Sequence, residues 1–266
     1  MQVSCPQVAN SGVQPSVVAW LDDHAPALLE FIRRLAAPAP HKVPGWSRSI
    51  ALPLAQIRPV LASLDPSLLP RKIQESVDSR RLSYLGGRLS AELCLEALGS
   101  GRHGIGMHES GAPVWPSGFV GSITHTADMA CSVAGHHEAG WSVGIDSEVI
   151  PDPSGIDAIR SVCCTHRENL QWLGGSDTAR LSTCIFSAKE ALYKALHPIV
   201  GRYVDFSEVE VRAMDCEGGS MLLCASDDST LHGVLHPTTA WIMGADRTVH
   251  AYVGLPLNSS SPATAA

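Results

Sequence analysis

The segment VGIDSEVI, at 143–150, places two carboxylates two residues apart in a run of Val, Ile and Gly. Side chains of a strand alternate between faces, so Asp146 and Glu148 point the same way, about 6–7 Å apart. Two like charges on one half-buried face repel each other and cost desolvation energy. A hard divalent cation removes that conflict: Mg²⁺ takes one or two carboxylates together with phosphate oxygens and water. Farther along, SAKEALYKAL sets Glu190 and Lys194 at i,i+4 on a helical pattern. Alone, such a pair amounts to an exposed ion pair of a few tenths of a kcal/mol. Upstream, Arg80 and Arg88 lie eight residues apart, about two turns, so both serve one side of a helix. Most charge runs of this kind are solvated helix faces, yet clustered guanidinium groups also grip phosphate in bidentate fashion. With a third carboxylate from a helix beside the strand pair, the three groups together describe Mg²⁺-assisted transfer at a phosphate of an anionic substrate.

The elements that must position these residues follow from periodicity and punctuation. A short helix spans 26–35, and AAPAPHKVPGW (36–46) is a Pro-rich connector. From 70 to 98 the pattern is that of a long helix, with Ile73, Val77, Leu82, Leu85, Leu89 and Leu93 near helical spacing; Gly86 and Gly87 are the places where it would break. Pro113, Pro116, Gly118 and Gly121 make an ordered loop leading into 122–125. The apolar runs 130–134 and 141–145, separated by GHHEAG, read as a β-hairpin whose second arm continues into VGIDSEVI and stops at Pro151. Residues 176–197 form an amphipathic helix with a stripe of Leu181, Cys184, Ile185, Ala188, Leu192, Ala195 and Leu196. Strands follow at 209–214, 220–225, 241–244 and 249–253, the last two joined by the turn GADRT. The polar start (1–16) and the tail NSSSPATAA (258–266) are expected to be mobile.

Composition bounds the reading. A chain of 266 residues with 45% hydrophobic and 17% charged residues is globular and long enough for one large domain or two small ones. A formal charge of −7 argues against general nucleic-acid binding. No secretory signal or membrane-spanning run is visible, and eight cysteines without CxxC spacing fit reduced thiols, so the expected location is the cytoplasm. Cys163 and Cys164 with His166 invite a zinc reading, but no second ligand pair lies at workable spacing.

GAPVWPSGFVGSITH, VGIDSE and FSAKEALYKAL, in this order and spacing, resemble the 4′-phosphopantetheinyl transferases of the enterobactin and surfactin type, and RRLSYLGGR (80–88) fits their arginine-rich helix. The resemblance covers roughly 50–255. It implies transfer of the phosphopantetheine arm of coenzyme A to a serine of an apo acyl- or peptidyl-carrier protein, with release of adenosine 3′,5′-bisphosphate. It further implies Mg²⁺ held by Asp146, Glu148 and Glu190, with Ser147 between the strand carboxylates able to approach the metal through its carbonyl, its hydroxyl or a water. Glu190 would be the general base and Lys194 a phosphate contact, with Lys189 as a second phosphate partner. Arg80 and Arg88 would hold nucleotide phosphates, while Thr124 and His125 would contact coenzyme A, His125 at the 3′-phosphate. The implied fold is α+β: a monomer of two similar subdomains, 17–150 and 151–257, each a small antiparallel sheet packed with helices, with the ligand cleft between them. Siderophore or other non-ribosomal peptide or polyketide synthesis is the pathway implied.

One position departs from the family pattern. Relatives often carry Lys or Arg just before the P-x-W-P motif, where this chain reads MHESGAP. Either His108 substitutes there, or coenzyme A binds with one contact fewer. Two rival functions are weighed by residues. An acyl hydrolase would need G-x-S-x-G, which Gly121-Ser122-Ile123 does not supply. A non-catalytic coenzyme A or carrier-protein binding module would be favoured by loss of Asp146, Glu148 or Glu190, and all three are present.

Overall fold

The structure is a computed structural model that describes residues 15–101, 103–245 and 247–257. The expected mobile ends therefore lie outside the described residues except for Pro15 and Ser16, and so does Asp246 in the GADRT turn. The helices are α1 (Val17–His24), α2 (Pro26–Leu35), α3 (Leu54–Ser63), α4 (Arg71–Gln74), α5 (Asp78–Ala97), α6 (Pro153–Cys163), α7 (His166–Trp172) and α8 (Thr178–Val200). The strands are β1 (Ser47–Pro53), β2 (Gly106–Met107), β3 (Pro113–Val114), β4 (Phe119–His125), β5 (Met129–His136), β6 (Trp141–Val149), β7 (Val209–Asp215), β8 (Ser220–Ala225), β9 (Thr238–Ala245) and β10 (Thr248–Pro256).

Two antiparallel sheets each carry one long helix, an α+β arrangement. β1, β5 and β4 form a three-stranded sheet against α5, and β6, β10, β9, β8 and β7 form a five-stranded sheet against α8. Leu85 and Leu89 of α5 and Ile185 and Leu192 of α8 are fully buried, so the helix stripes and the inner sheet faces make two adjoining cores. The long upstream helix is broken, but not at its glycines. Residues 75–77 separate α4 from α5, whereas Gly86 and Gly87 lie inside α5. A Cβ on Gly86 would come within 2.5 Å of Leu54 Cδ2, so this glycine serves close packing of α3 and β5 on α5.

The hairpin expected from 130–145 does not form. β5 pairs with β1 and β4, whereas β6 pairs with β10, Asp146 lying opposite Ala251. The sheets thus change at 137–140, ahead of the expected break near 150–154, and the carboxylate strand belongs to the second sheet. Alternation within β6 is as the sequence requires. Its partner is set by long-range packing on α8, which no local pattern encodes.

Ser16 tethers the start of α1. Its Oγ accepts from Ala19 N and donates at 2.8 Å to Glu92 Oε2, which also accepts from Val18 N. Burial pushes the Glu92 carboxyl up to about 7 against those hydrogen bonds. Among the described residues, no helix is long and apolar enough to cross a membrane, and the described cysteines are free thiols.

Candidate active site

The site lies where the two sheets meet. β4 does not continue the ladder onto β6. Instead its side chains stitch the two strands together: Ile145 N donates to Ser122 Oγ at 3.1 Å and Ser147 N donates to Thr124 Oγ1 at 3.0 Å. The GSITH segment thereby fixes the height of Asp146 against the first sheet. A cleft of about 430 Å³ opens beside this seam, and its walls include Arg80, Arg88, Thr124, His125, Asp146, Glu148, Glu190 and Lys194. That volume suits a small organic ligand. Eight of the ten expected site residues therefore share one cleft, though they come from four elements.

Asp146 is 3% exposed, and both oxygens of its carboxylate accept hydrogen bonds. Oδ1 accepts from Lys194 Nζ at 2.7 Å, with Thr124 Oγ1 farther off at 3.4 Å, and Oδ2 accepts from Ser187 Oγ at 2.9 Å. Lys194 also donates to the Ile145 carbonyl at 3.1 Å. Glu148 stands on the same face, half-buried. Burial first, then the Asp146 charge, pushes its carboxyl up to about 7, with Lys194 opposing. Glu190 projects from α8 into the same cleft and is likewise raised, by burial and by Asp146, against the pull of Lys194. Three carboxylates and one lysine gather where β6 faces α8, and the carboxylates are a donor set of hard oxygens that suits Mg²⁺. Among the described residues no cluster of three His, Cys, Asp or Glu is already drawn in to metal-ligating spacing. Lys194 holds the cationic place against Asp146.

His125 stands at the cleft mouth, its Nε2 3.5 Å from the Arg80 guanidinium. Partial burial of its ring, then the Arg80 and Lys194 charges, hold it below the ordinary imidazole value. Arg88 is 5% exposed; Nη2 donates to the Gly106 carbonyl at 3.0 Å and the guanidinium lies 4.7 Å over the Tyr84 ring. At the departure from the family pattern, His108 and Ser110 hydrogen-bond each other at 2.9 Å, and Gly111 rather than His108 reaches the cleft wall.

Two of the expected site residues turn their side chains away from the cleft. Ser147 turns its hydroxyl to the opposite face of β6, where it is 1% exposed and bonds His250 Nδ1 at 3.0 Å and His41 Nε2 at 3.2 Å. Strand alternation accounts for this: the residue between two cleft-facing carboxylates must face away. Lys189 does not reach the cleft either. Its ammonium is buried and donates to Glu168 Oε2 at 2.8 Å, the Cys163 carbonyl at 2.9 Å and the Phe206 carbonyl at 3.1 Å. Glu168 in turn accepts from Thr165 N and Val211 N, so Lys189 ties α6, α7 and α8 to β7. Removing one partner of a buried pair leaves an uncompensated charge, so Lys189→Met is expected to lower unfolding free energy by about 3–5 kcal/mol, measured by denaturant titration. A loss below 1 kcal/mol would refute the tie.

His41 and His250 carry no spacing signal in the sequence, yet they support the site from behind. His41 Nε2 donates to the Asp146 carbonyl at 3.0 Å, which fixes its tautomer, and burial lowers the ring to about 4, so it is neutral. The carboxylate strand is thus held by a hydrogen-bonded histidine pair on its closed face and left free to act on its open face.

Comparison with known proteins agrees with this geometry. Residues 69–135 match the 4′-phosphopantetheinyl transferase N-terminal domain, and residues 142–246 match the 4′-phosphopantetheinyl transferase superfamily; the boundary between the two falls at the change of sheet. The chain is 36% identical to the 4′-phosphopantetheinyl transferase Npt of Nocardia iowensis over 61% of its own length and 71% of that protein's. It is 34% identical to the 4′-phosphopantetheinyl transferase PptT of Mycobacterium tuberculosis, over 52% of this chain and 61% of the relative. To enterobactin synthase component D of Salmonella typhimurium it is 28% identical, over 47% and 51% respectively. The carboxylates of β6 and α8, the arginines of α5 and the matched stretches on both sheets agree: the chain belongs to the 4′-phosphopantetheinyl transferase superfamily.

Proposed function

We propose that the chain transfers the 4′-phosphopantetheine group of coenzyme A to a serine hydroxyl of an apo acyl- or peptidyl-carrier protein. The observation that carries this is the convergence of Asp146, Glu148, Glu190 and Lys194 with Arg80, Arg88 and His125 on one cleft. Serine Oγ attacks the phosphorus that bears pantetheine, and the bond from that phosphorus to the bridging oxygen breaks. Adenosine 3′,5′-bisphosphate departs. A serine hydroxyl is a weak nucleophile, and Glu190, a partly buried carboxylate with a raised proton affinity, takes its proton directly or through water. Lys194 neutralises charge on the phosphates, and Arg80, Arg88 and His125 anchor the nucleotide end. Asp146, Glu148 and Glu190 are the residues that would hold Mg²⁺. When bound, that ion supplies charge neutralisation of the pyrophosphate. Thr124, Ser187 and His41 keep Asp146 in place for either occupant.

The enzyme acts as a monomer in the cytoplasm, and its carriers are those of siderophore-type non-ribosomal peptide or polyketide synthesis. The test is incubation of the full chain with coenzyme A, Mg²⁺ and a panel of apo carrier proteins, read by intact mass. A phosphopantetheine adduct that disappears on chelation is the expected outcome. Absence of an adduct on every carrier would defeat the reading.

A further inference from the structure

On α5 some buried polar side chains are satisfied within the helix and others are not. Ser83 Oγ donates to the Arg80 carbonyl and Ser90 Oγ to the Gly87 carbonyl, each at 3.1 Å. Tyr84 Oη and Arg88 Nε, one helical turn apart, are buried without a hydrogen-bond partner among the described residues, and both residues line the cleft. Arg81 Nε is also unpartnered, but Arg81 pairs with Asp78 and is not on the cleft wall. An orphaned buried hydroxyl is destabilising, and native structures keep few of them. Tyr84 is 9% exposed, and its ring is clamped under the Arg88 guanidinium, so the hydroxyl cannot swing out to find water without breaking that stack.

We infer that the Tyr84 hydroxyl is an affinity-determining contact for the co-substrate: together with Arg88 Nε it donates to a phosphate oxygen of coenzyme A. The inference rests on the function proposed above. Two N–H and O–H donors and a buried positive charge converge on the same wall, and a phosphate offers the acceptors and the charge that both lack. The phenol adds a contact on α5 in a chain that lacks a basic residue at Ser110. Tyr84 is no catalytic residue. It touches the non-reacting part of the ligand, equally in ground and transition states, so it sets binding rather than turnover.

Tyr84→Phe removes only the hydroxyl and keeps the ring beneath Arg88. Calorimetric titration of the full chain with coenzyme A is expected to show Kd raised roughly tenfold, as for loss of a hydrogen bond to a charged group. The KM for coenzyme A rises in step, with kcat within about twofold. Because the lost hydroxyl is unpaired in the free protein, the melting temperature of the variant stays the same or rises. Titration with 3′-dephospho-coenzyme A locates the contact. A variant penalty that vanishes places the hydroxyl on the 3′-phosphate, remote from the reacting phosphorus, and one that persists overturns that placement. Tight coenzyme A binding by the wild type with an unchanged Kd in Tyr84→Phe overturns this inference alone. So does a lowered melting temperature with unchanged Kd, which would mean that the hydroxyl bonds to protein. No coenzyme A binding by the wild type would overturn both this inference and the function on which it rests.

Discussion

Glu190→Gln is expected to reduce carrier-protein modification by about three orders of magnitude, within the range over which a positioned general base contributes. The substitution keeps the shape of the side chain and removes its charge and basicity. It should leave the fold unharmed, because among the described residues Glu190 makes no buried ion pair on which packing depends, and burial already disfavours its charged form. The measurement is the initial rate of phosphopantetheine addition by intact mass at saturating coenzyme A, alongside a melting curve. Two roles are assigned to this carboxylate, and they respond differently to metal. Loss of a cation-holding oxygen is repaired in part by raising Mg²⁺, whereas loss of the proton acceptor is not. A rate that stays near 10⁻³ of wild type, to order of magnitude, at every Mg²⁺ concentration supports the base. Recovery at high Mg²⁺ would confine Glu190 to the metal, and wild-type turnover by the folded variant would remove it from the mechanism.

The parts of this site visible in the sequence are those that depend on local period. Alternation put Asp146 and Glu148 on one face, and they share it in β6. Helical spacing grouped Glu190 with Lys194 on one side of α8 and Arg80 with Arg88 on one side of α5, and all four line the cleft. Ser147 shows the same rule left unused, since alternation already excludes its hydroxyl from the face of its neighbours. What local period cannot carry is the identity of a partner far along the chain. Lys189 adjoins Glu190, but one residue is about 100° around a helix, and its counterion, Glu168, stands on another helix. His41 and His250 flank Ser147 from more than 100 residues away on either side, and nothing in their own neighbourhoods marks them. β6 abandons β5 for β10 for the same reason. The GHHEAG connection has turn composition, but it holds a single 3₁₀ turn closed by Gly140 at φ 73°, which redirects the chain into the second sheet instead of folding it back.

The glycine of the GID motif has the largest expected structural effect. β6 meets α8 backbone to backbone at Gly144. A Cβ there would overlap the Ala191 carbonyl and lie 2.8 Å from Ala195 N. Neither atom can give way without moving the helix, because both belong to the α8 hydrogen-bond ladder. Gly144→Ala is therefore expected to cost about 3 kcal/mol, at the upper end for overpacking, and to lower the melting temperature by roughly 6–12 °C. The chemistry should suffer beyond what the lost stability explains. Ala191 follows Glu190 directly and Lys194 precedes Ala195, so the two residues that a Cβ would push away adjoin the two that act on the substrate. A displacement of about 1 Å is enough to cost on the order of a hundredfold in rate at 20 °C, where the variant remains folded. Gly45→Ala is the control, since nothing lies within 4 Å of a Cβ at that position. Melting curves and transfer rates of the two variants give the comparison. If Gly144→Ala matched Gly45→Ala in both, close contact between β6 and α8 would not be what brings the strand carboxylates, the base and the lysine together.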